Sequence, residues 1–212
     1  VVKPYEHFYT YQFKEDWISN HENNVLLKDS VDWKVNMLWS EKIHFVSETI
    51  KQQYFVTEYY GWCDIGYFRG RCNDLDVHTL KMWPTPNKIS SLAKDKIYYG
   101  LINNDEKFVN YIYNIVNNKN TNGVPSQPIP PYQCTIAGGF FILHRDNMDW
   151  WHTTYYKKLK LYFEHKQLVK DDQIILADCI FSSPHNFCLC VEQNPQFDNW
   201  FMFQRDRKST RL

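Results

Sequence analysis

The chain has 212 residues, which is enough for one sizeable core and predicts a single domain over residues 1–212. Lysine plus arginine and aspartate plus glutamate balance at 24 each, so net charge gives no attraction to DNA, RNA or an anionic membrane. No apolar stretch reaches the roughly 18 residues of a membrane span, and the Val-Val-Lys-Pro start carries no signal-peptide pattern.

The first half of the chain is predicted to form one long helix followed by two strands. Apolar residues recur at three- and four-residue steps over 31–51, as in an amphipathic helix, and only Lys42 interrupts the apolar face. Ser30 is the predicted N-cap of this helix. Aromatic and β-branched residues over 54–63 predict a strand, and residues 97–101 predict a short second one.

The second half is predicted to alternate helices with strands. Helical patterns cover 105–116, 146–166 and 171–180, and strand patterns cover 134–144 and 187–192. A loop rich in Asn, Gly, Pro and Ser separates the first of these helices from the strand that follows it. This order of elements predicts an α/β fold, with helices on the faces of one sheet.

The six cysteines show no metal-binding spacing. No Cys-x-x-Cys pair occurs, and Cys188 and Cys190 are too close in sequence for an ordinary zinc pair. Their surroundings are typical of a buried strand, where cysteine acts as a small apolar residue. We therefore predict reduced core thiols, which favour a cytoplasmic compartment.

The strongest candidate for chemistry is Asp64, which follows the predicted strand in the sequence Tyr-Tyr-Gly-Trp-Cys-Asp-Ile-Gly. A carboxylate at the C-terminal end of a buried strand lies where open α/β sheets bind ligands. It can hold a divalent cation there, or it can cap a turn before Gly66. The nearby Asp74-Leu75-Asp76 also has acids at metal-binding spacing, but no apolar strand precedes it. Asp64 is therefore the preferred metal ligand.

A second candidate is the pair Gly138 and Gly139, which interrupts a strand pattern directly after Ala137. Glycines inside a strand weaken it and usually mark a close approach to its backbone. The approaching group is either a bound sugar or phosphate, or a helix packed against the strand. The sequence leaves both alternatives open.

The third candidate is Asp171-Asp172-Gln173 at the start of a predicted helix, of which Asp171 is the predicted N-cap. Acidic residues at a helix start are stabilised by the helix dipole, so these side chains can be purely structural. Alternatively, Asp172 and Gln173 bind the hydroxyl groups of a sugar ligand, and an aspartate here acts as a base that removes a proton from the hydroxyl group of a second substrate. His185, in a Ser-Ser-Pro-His sequence after this helix, is either a metal ligand or a surface histidine.

Several common catalytic motifs are absent from the sequence. It contains neither Gly-x-Gly-x-x-Gly nor a Walker loop, which argues against dinucleotide-dependent dehydrogenases and P-loop enzymes. It also lacks His-Glu-x-x-His and Gly-x-Ser-x-Gly, which argues against zinc proteases and α/β-hydrolases.

Three segments taken in order carry a resemblance to a known family. Trp-Cys-Asp-Ile-Gly-Tyr-Phe-Arg at 62–69, Ala-Gly-Gly-Phe-Phe at 137–141 and Asp-Asp-Gln at 171–173 together resemble the HtrL/YibB family. Leu-Trp-Ser-Glu-Lys at 38–42 also looks like the family segment that precedes its Asp-x-Gly strand. The resemblance covers the chain from about residue 30 to about residue 190.

This family is similar to GT-A glycosyltransferases, in which Asp-x-Asp is followed by Ala-Gly and Asp-Gln. The resemblance implies a single Rossmann-type mixed sheet, a hexosyltransferase-like enzyme, a UDP-sugar donor, a glycan or protein acceptor, and Mn²⁺ or Mg²⁺. It also implies roles for the candidate residues. The metal ligands are Asp64 and His185, the donor contacts are Arg69, Ala137, Gly138 and Gly139, and the catalytic residues are Asp171, Asp172 and Gln173.

Two departures from the GT-A pattern keep other functions open. Gly66 replaces the second acid of Asp-x-Asp, and residues 1–30 do not form the strand–helix unit that cradles uridine. We therefore predict that this N-terminal unit is missing from the chain. Both departures favour an alternative, a non-catalytic carbohydrate-binding module on a degenerate transferase fold. A metal-dependent phosphohydrolase that uses Asp64 and Asp172 is a third hypothesis.

Overall fold

The structure of the protein is a computed structural model that describes residues 3–68 and 83–204, with a mixed β-sheet at its centre. Within these residues four strands pair in the order β1-β3-β2-β4. The strand β3 is antiparallel to both of its neighbours, whereas β2 and β4 are parallel, so β1, β2 and β4 all point the same way. The strands are β1 (Tyr59–Cys63), β2 (Ile97–Leu101), β3 (Ile136–His144) and β4 (Phe187–Cys190).

Helices flank this sheet, which confirms the predicted α/β fold with one mixed sheet. The described α-helices are α1 (Lys14–Asn23), α2 (Trp33–Trp39), α3 (Lys42–Lys51), α4 (Pro86–Ser90), α5 (Glu106–Asn117), α6 (Met148–Glu164) and α7 (Asp172–Ser182). Short 3-10 helices cover Tyr5–His7, Tyr9–Phe13, Arg145–Asn147, Pro184–Asn186 and Asn199–Gln204. Among the described helices, none has both the length and the apolar character needed to cross a membrane.

The two faces of the sheet are covered differently. Successive residues of a strand point to opposite faces, and Tyr99 of β2 packs in the main core while Tyr98 packs in a smaller cluster on the other side. The main core includes α3, α6 and α7 and buries Trp151 completely. On the other face, the segment Asn199–Gln204 packs against Phe140, and a cavity of about 410 Å³ lies beside it.

The predicted helix over 31–51 is wrong in one respect, because the structure has two helices there, α2 and α3, separated by a turn. Asp32, rather than Ser30, caps α2 through a bond from the backbone N–H of Lys34. At the break, the fully buried Glu41 carboxylate accepts hydrogen bonds from the N–H groups of Tyr9 and Thr10, at 2.7 and 2.9 Å. These bonds to the N-terminal segment fix the direction in which α3 begins.

The pair Gly138–Gly139 lies in an irregular part of β3. Two steps along β2, from Tyr99 to Leu101, correspond to five steps along β3, from Phe141 to Ile136. Such a bulge bends a strand and re-aims its neighbours, and bulges are common beside active sites. The prediction that the glycines interrupt a regular strand is therefore confirmed.

Candidate functional site

Asp64 directly follows β1 and begins a turn. Its backbone N–H bonds to the Gly139 carbonyl oxygen at 2.9 Å, and its own carbonyl accepts from the N–H of Tyr67 at 2.8 Å. The turn is thus closed by the backbone, while the carboxylate projects sideways and accepts a 2.5 Å bond from the indole N–H of Trp62. The side chain is 39% exposed. Asp64 therefore presents an oriented and partly accessible carboxylate at the C-terminal end of β1.

Asp172 begins α7 on the other side of the paired glycines and is buried. An alanine Cβ at position 138 would lie 3.0 and 3.1 Å from the two carboxylate oxygens of Asp172. One at position 139 would lie 3.3 Å from Oδ2 of Asp64. The close approach predicted for Gly138 and Gly139 therefore makes room for two carboxylates of the protein itself, one of them on a packed helix.

Lys42 joins these two carboxylates, and sequence reasoning did not identify it as a site residue. Its Nζ lies 2.8 Å from the carbonyl oxygen of Gly138, 3.1 Å from Oδ2 of Asp172 and 3.4 Å from Oδ1 of Asp64. The residue is only 8% exposed. The available signal was the interruption of an apolar helix face by a single lysine, which marks either an exposed charge or a buried functional one.

Charge and burial compete within this triad of Asp64, Lys42 and Asp172. Burial lowers the pKa of Lys42, but Asp172 and Asp64 outweigh this effect and raise it above its ordinary value. Burial raises the pKa of Asp172 to about 6, although the Lys42 ammonium opposes this shift. The triad therefore contains a permanent ammonium and a buried carboxyl that is ionised only above about pH 6.

Asp171 and Gln173 hold Asp172 in place. The Asp171 side chain caps α7 by accepting the backbone N–H of Gln173 at 3.2 Å, and it forms a 2.7 Å ion pair with Lys170. The side-chain amide of Gln173 donates to the carbonyl oxygen of Ile136 at 2.5 Å. The cap predicted at Asp171 is confirmed, and both side chains contact protein groups that fix the start of α7 against β3.

The remaining predicted site residues lie elsewhere. His185 precedes β4, whereas Asp64 follows β1, and because these strands point the same way the two residues lie at opposite edges of the sheet. At roughly 3.3 Å per residue, a five-residue strand separates these edges by about 16 Å. The structure therefore does not bring His185 together with Asp64, and a metal-binding role for His185 stays a prediction. Ala137 is buried beside Gly100, and Arg69 lies outside the described residues, as does Asp74-Leu75-Asp76.

The Mn²⁺ or Mg²⁺ implied by the resemblance can be compared with this geometry. Mg²⁺ requires oxygen ligands at about 2.0–2.1 Å, and a bridging ion must face both carboxylates. That position, facing both Asp64 and Asp172, is taken by the ammonium of Lys42. The two carboxylates therefore do not fit a divalent cation that bridges them.

Comparisons with protein families, with curated proteins and with solved structures found no match to this chain. The HtrL/YibB and GT-A resemblance consequently stays a prediction that rests on the order of the motifs. In the structure, residues from the three motif segments at 62–69, 137–141 and 171–173 meet at the C-terminal end of β1. Lys42, from the segment at 38–42, joins them there.

Replacing Gly138 by alanine is expected to cost about 1–3 kcal/mol of unfolding free energy, the usual range for an overpacked site. The new methyl group would press on the enclosed Asp172 carboxylate and move it away from Lys42. Urea unfolding measures the change. Gly139→Ala is the matched control and should cost less, because its Cβ would lie 3.3 Å from its two nearest atoms, Oδ2 of Asp64 and Nε1 of Trp200, and both side chains are partly exposed. Equal costs for the two variants would contradict this prediction.

Proposed function

We propose that this chain is a glycosyltransferase that moves a sugar from a UDP-sugar donor to a glycan or protein acceptor. The observation that supports it best is the meeting of Asp64, the paired glycines and Asp172 at the C-terminal edge of β1. Open α/β sheets bind ligands at this edge of their parallel strands. Chance copies of three short motifs would have no reason to converge on one place.

The groups around the exposed side of Asp64 suit a carbohydrate. The indole of Trp62 contacts its carboxylate, and the indole nitrogen of Trp200 lies near Gly139; both indoles are partly exposed. The C–H face of a sugar packs well on an aromatic plane, while a carboxylate accepts hydrogen bonds from sugar hydroxyls. In this proposal, Asp64 binds the donor and the neighbouring rings orient its sugar.

Asp172 and Lys42 support Asp64 from the buried side. The side chain of Asp172 is 9% exposed, so we assign it to holding Lys42, which in turn orients Asp64. Catalysis then rests on positioning of the donor and on stabilising charge at the leaving diphosphate. Mn²⁺ or Mg²⁺ would contribute positive charge to that diphosphate.

A carbohydrate-binding module without catalysis is the second candidate. It is favoured by the aromatic rings beside Asp64, since such rings bind sugars in proteins that perform no chemistry on them. Gly66 in place of a second metal-binding acid also favours it. The phosphohydrolase hypothesis has less support, because it needs an ion between Asp64 and Asp172, where the ammonium of Lys42 lies.

We expect UDP and UDP-sugars to raise the melting temperature of the protein, and Asp64→Asn to reduce this shift. The physical reason is that a ligand which binds only the folded state stabilises it by mass action. Thermal unfolding is measured with UDP, GDP and CMP, each with and without Mn²⁺, and calorimetry gives the affinity of any nucleotide that responds.

The outcomes separate the two candidates. Stabilisation by oligosaccharides together with no response to nucleotides supports the binding module. Release of UDP from a UDP-sugar, lost in Asp64→Asn, supports the transferase. If no nucleotide changes the melting temperature or gives heat of binding, the transferase proposal is wrong. Lys51→Met is a suitable control, because Lys51 is an exposed residue that pairs with Glu48.

A further inference from the structure

We propose that Lys42 is a built-in cation that takes the place of a bridging divalent ion, and that among residues 3–68 and 83–204 it is the cation that joins Asp64 to Asp172. The proposal concerns the same site as the proposed function, but it stands on the geometry of the protein groups. It makes Lys42 a positioning residue that also determines whether a metal ion can enter between the two carboxylates.

The contacts of Lys42 match the valence of an ammonium group. An ammonium has three hydrogens to donate, and Nζ of Lys42 has three acceptors, namely the Gly138 carbonyl, Asp172 and Asp64. These acceptors come from three separate elements: β3, the start of α7 and the turn after β1. Lys42 therefore gathers oxygens from across the site as a coordinated metal ion does.

Because the ammonium of Lys42 is buried, it excludes a second cation from the space between the two carboxylates. Like charges a few ångströms apart repel strongly where water screens them poorly, so a divalent ion beside the ammonium would be repelled. The void bordered by Lys42, Asp172 and Tyr99 measures about 10 Å³, which leaves room for about one water molecule. A divalent ion can therefore bridge Asp64 and Asp172 only after the ammonium leaves.

The start of α3 prevents the ammonium from leaving easily. Lys42 is the first residue of this helix, and the preceding Glu41 is bonded to the backbone of Tyr9 and Thr10. On the helix side, the hydroxyl of Tyr156 donates to the carbonyl oxygen of Ser40 at 2.8 Å. The backbone that carries Lys42 is thus fixed from two directions, and its side chain extends into the buried site.

The experiment measures Mn²⁺ binding without any nucleotide, so the proposed function and this proposal fail separately. Free Mn²⁺ is followed by electron paramagnetic resonance during titration of the wild-type chain and of Lys42→Met. We expect only weak binding by the wild type. Lys42→Met should bind one Mn²⁺ per chain on the order of 100-fold more tightly, since affinity rises with the number of uncompensated charged ligands.

Further variants identify the ligands. The double variants Lys42→Met/Asp172→Asn and Lys42→Met/Asp64→Asn should lose the new site, because each removes one of its carboxylates. Lys51→Met, on the same helix, should bind as the wild type does. Mn²⁺ should also raise the melting temperature of Lys42→Met, since the buried Asp172 and the partly exposed Asp64 then gain a counterion.

Three results would overturn the proposal. One is tight stoichiometric Mn²⁺ binding by the wild type that Asp172→Asn abolishes. Another is a folded Lys42→Met, checked by circular dichroism, that gains no Mn²⁺ site. If Lys42→Met does not fold alone, Lys42→Gln is titrated in its place and Lys42→Met is refolded with Mn²⁺; failure of both to acquire the ion is the third.

Discussion

Replacing Gly61 by alanine is expected to lower the free energy of unfolding by about 4 kcal/mol or more, an exceptional cost for one methyl group. A Cβ at this position would overlap the carbonyl oxygen of Phe141 and lie 3.2 Å from Cα of Ile142. Both are backbone atoms of β3, the strand that pairs with both β1 and β2. Neither atom can move without disturbing the sheet, so β1 would have to leave its native position.

Gly100→Ala is the matched control for this prediction. A Cβ at Gly100 would lie 3.4 Å from Cβ of Ala137 and 3.6 Å from Sδ of Met202, which are near-ordinary contacts with side chains. We expect a change within about 1 kcal/mol. Urea unfolding monitored by tryptophan fluorescence measures both variants. A Gly61→Ala protein that unfolds at the same urea concentration as Gly100→Ala would show that β1 and β3 pair differently.

The consequence of Gly61→Ala extends to the candidate site. Asp64 is held by its backbone bond to Gly139, which continues the pairing of β1 with β3. If that pairing is lost, Asp64 no longer faces Lys42. The sequence alone did not reveal this requirement, because the clash depends on which carbonyl of the partner strand lies opposite Gly61.

Local sequence patterns correctly predicted structural features whose interaction partners lie within a few residues in the sequence. Asp171 was predicted as the cap of α7, because a short acidic side chain before an apolar run binds backbone N–H groups within the same few residues. The pattern failed at Glu41 and Lys42, which are charged and yet buried. Their partners, Thr10 and Asp172, are far away in sequence, so no local rule could identify the compensation.

Sequence analysis identified the candidate site residues that lie at the end of a strand or at the start of a helix. Asp64 follows a strand and Asp172 begins a helix, and both positions indicate the ligand-binding edge of an α/β sheet. His185 does not join the other candidates, because it precedes its strand and therefore lies at the opposite strand ends from Asp64. Lys42 was missed because the apolar periodicity of a helix treats a charged residue as an interruption.

Under the proposed transferase function, replacing Asp172 by asparagine is expected to slow release of UDP from a UDP-sugar by about 100-fold while the fold is retained. Asparagine has nearly the same shape but no charge, so Lys42 loses its closest carboxylate partner and no longer orients Asp64. Steady-state kinetics and thermal unfolding measure the two effects. Unchanged kinetics in Asp172→Asn would show that this carboxylate does not support the reaction.

The pH dependence distinguishes this role from simple packing. Because burial raises the pKa of Asp172 to about 6, the folded protein binds this proton more tightly than the unfolded chain does. The group's contribution to stability is therefore greatest at low pH and falls as pH rises from about 4 to about 6, as the carboxyl ionises. Asp172→Asn should consequently melt no lower than the wild type at pH 7–8.

Activity should rise with pH over the range in which the contribution of Asp172 to stability falls. Wild-type activity is expected to rise as pH increases through about 6, because only the ionised carboxylate pairs with Lys42. Asp172→Asn should be slow and nearly independent of pH over this range. If the variant keeps the wild-type inflection, another group is responsible for it. If the melting temperature of Asp172→Asn at pH 8 is far below that of the wild type, the ion pair between Asp172 and Lys42 serves stability rather than the reaction. In that case the ionised Asp172 carboxylate gains more free energy from pairing with Lys42 than it loses through burial.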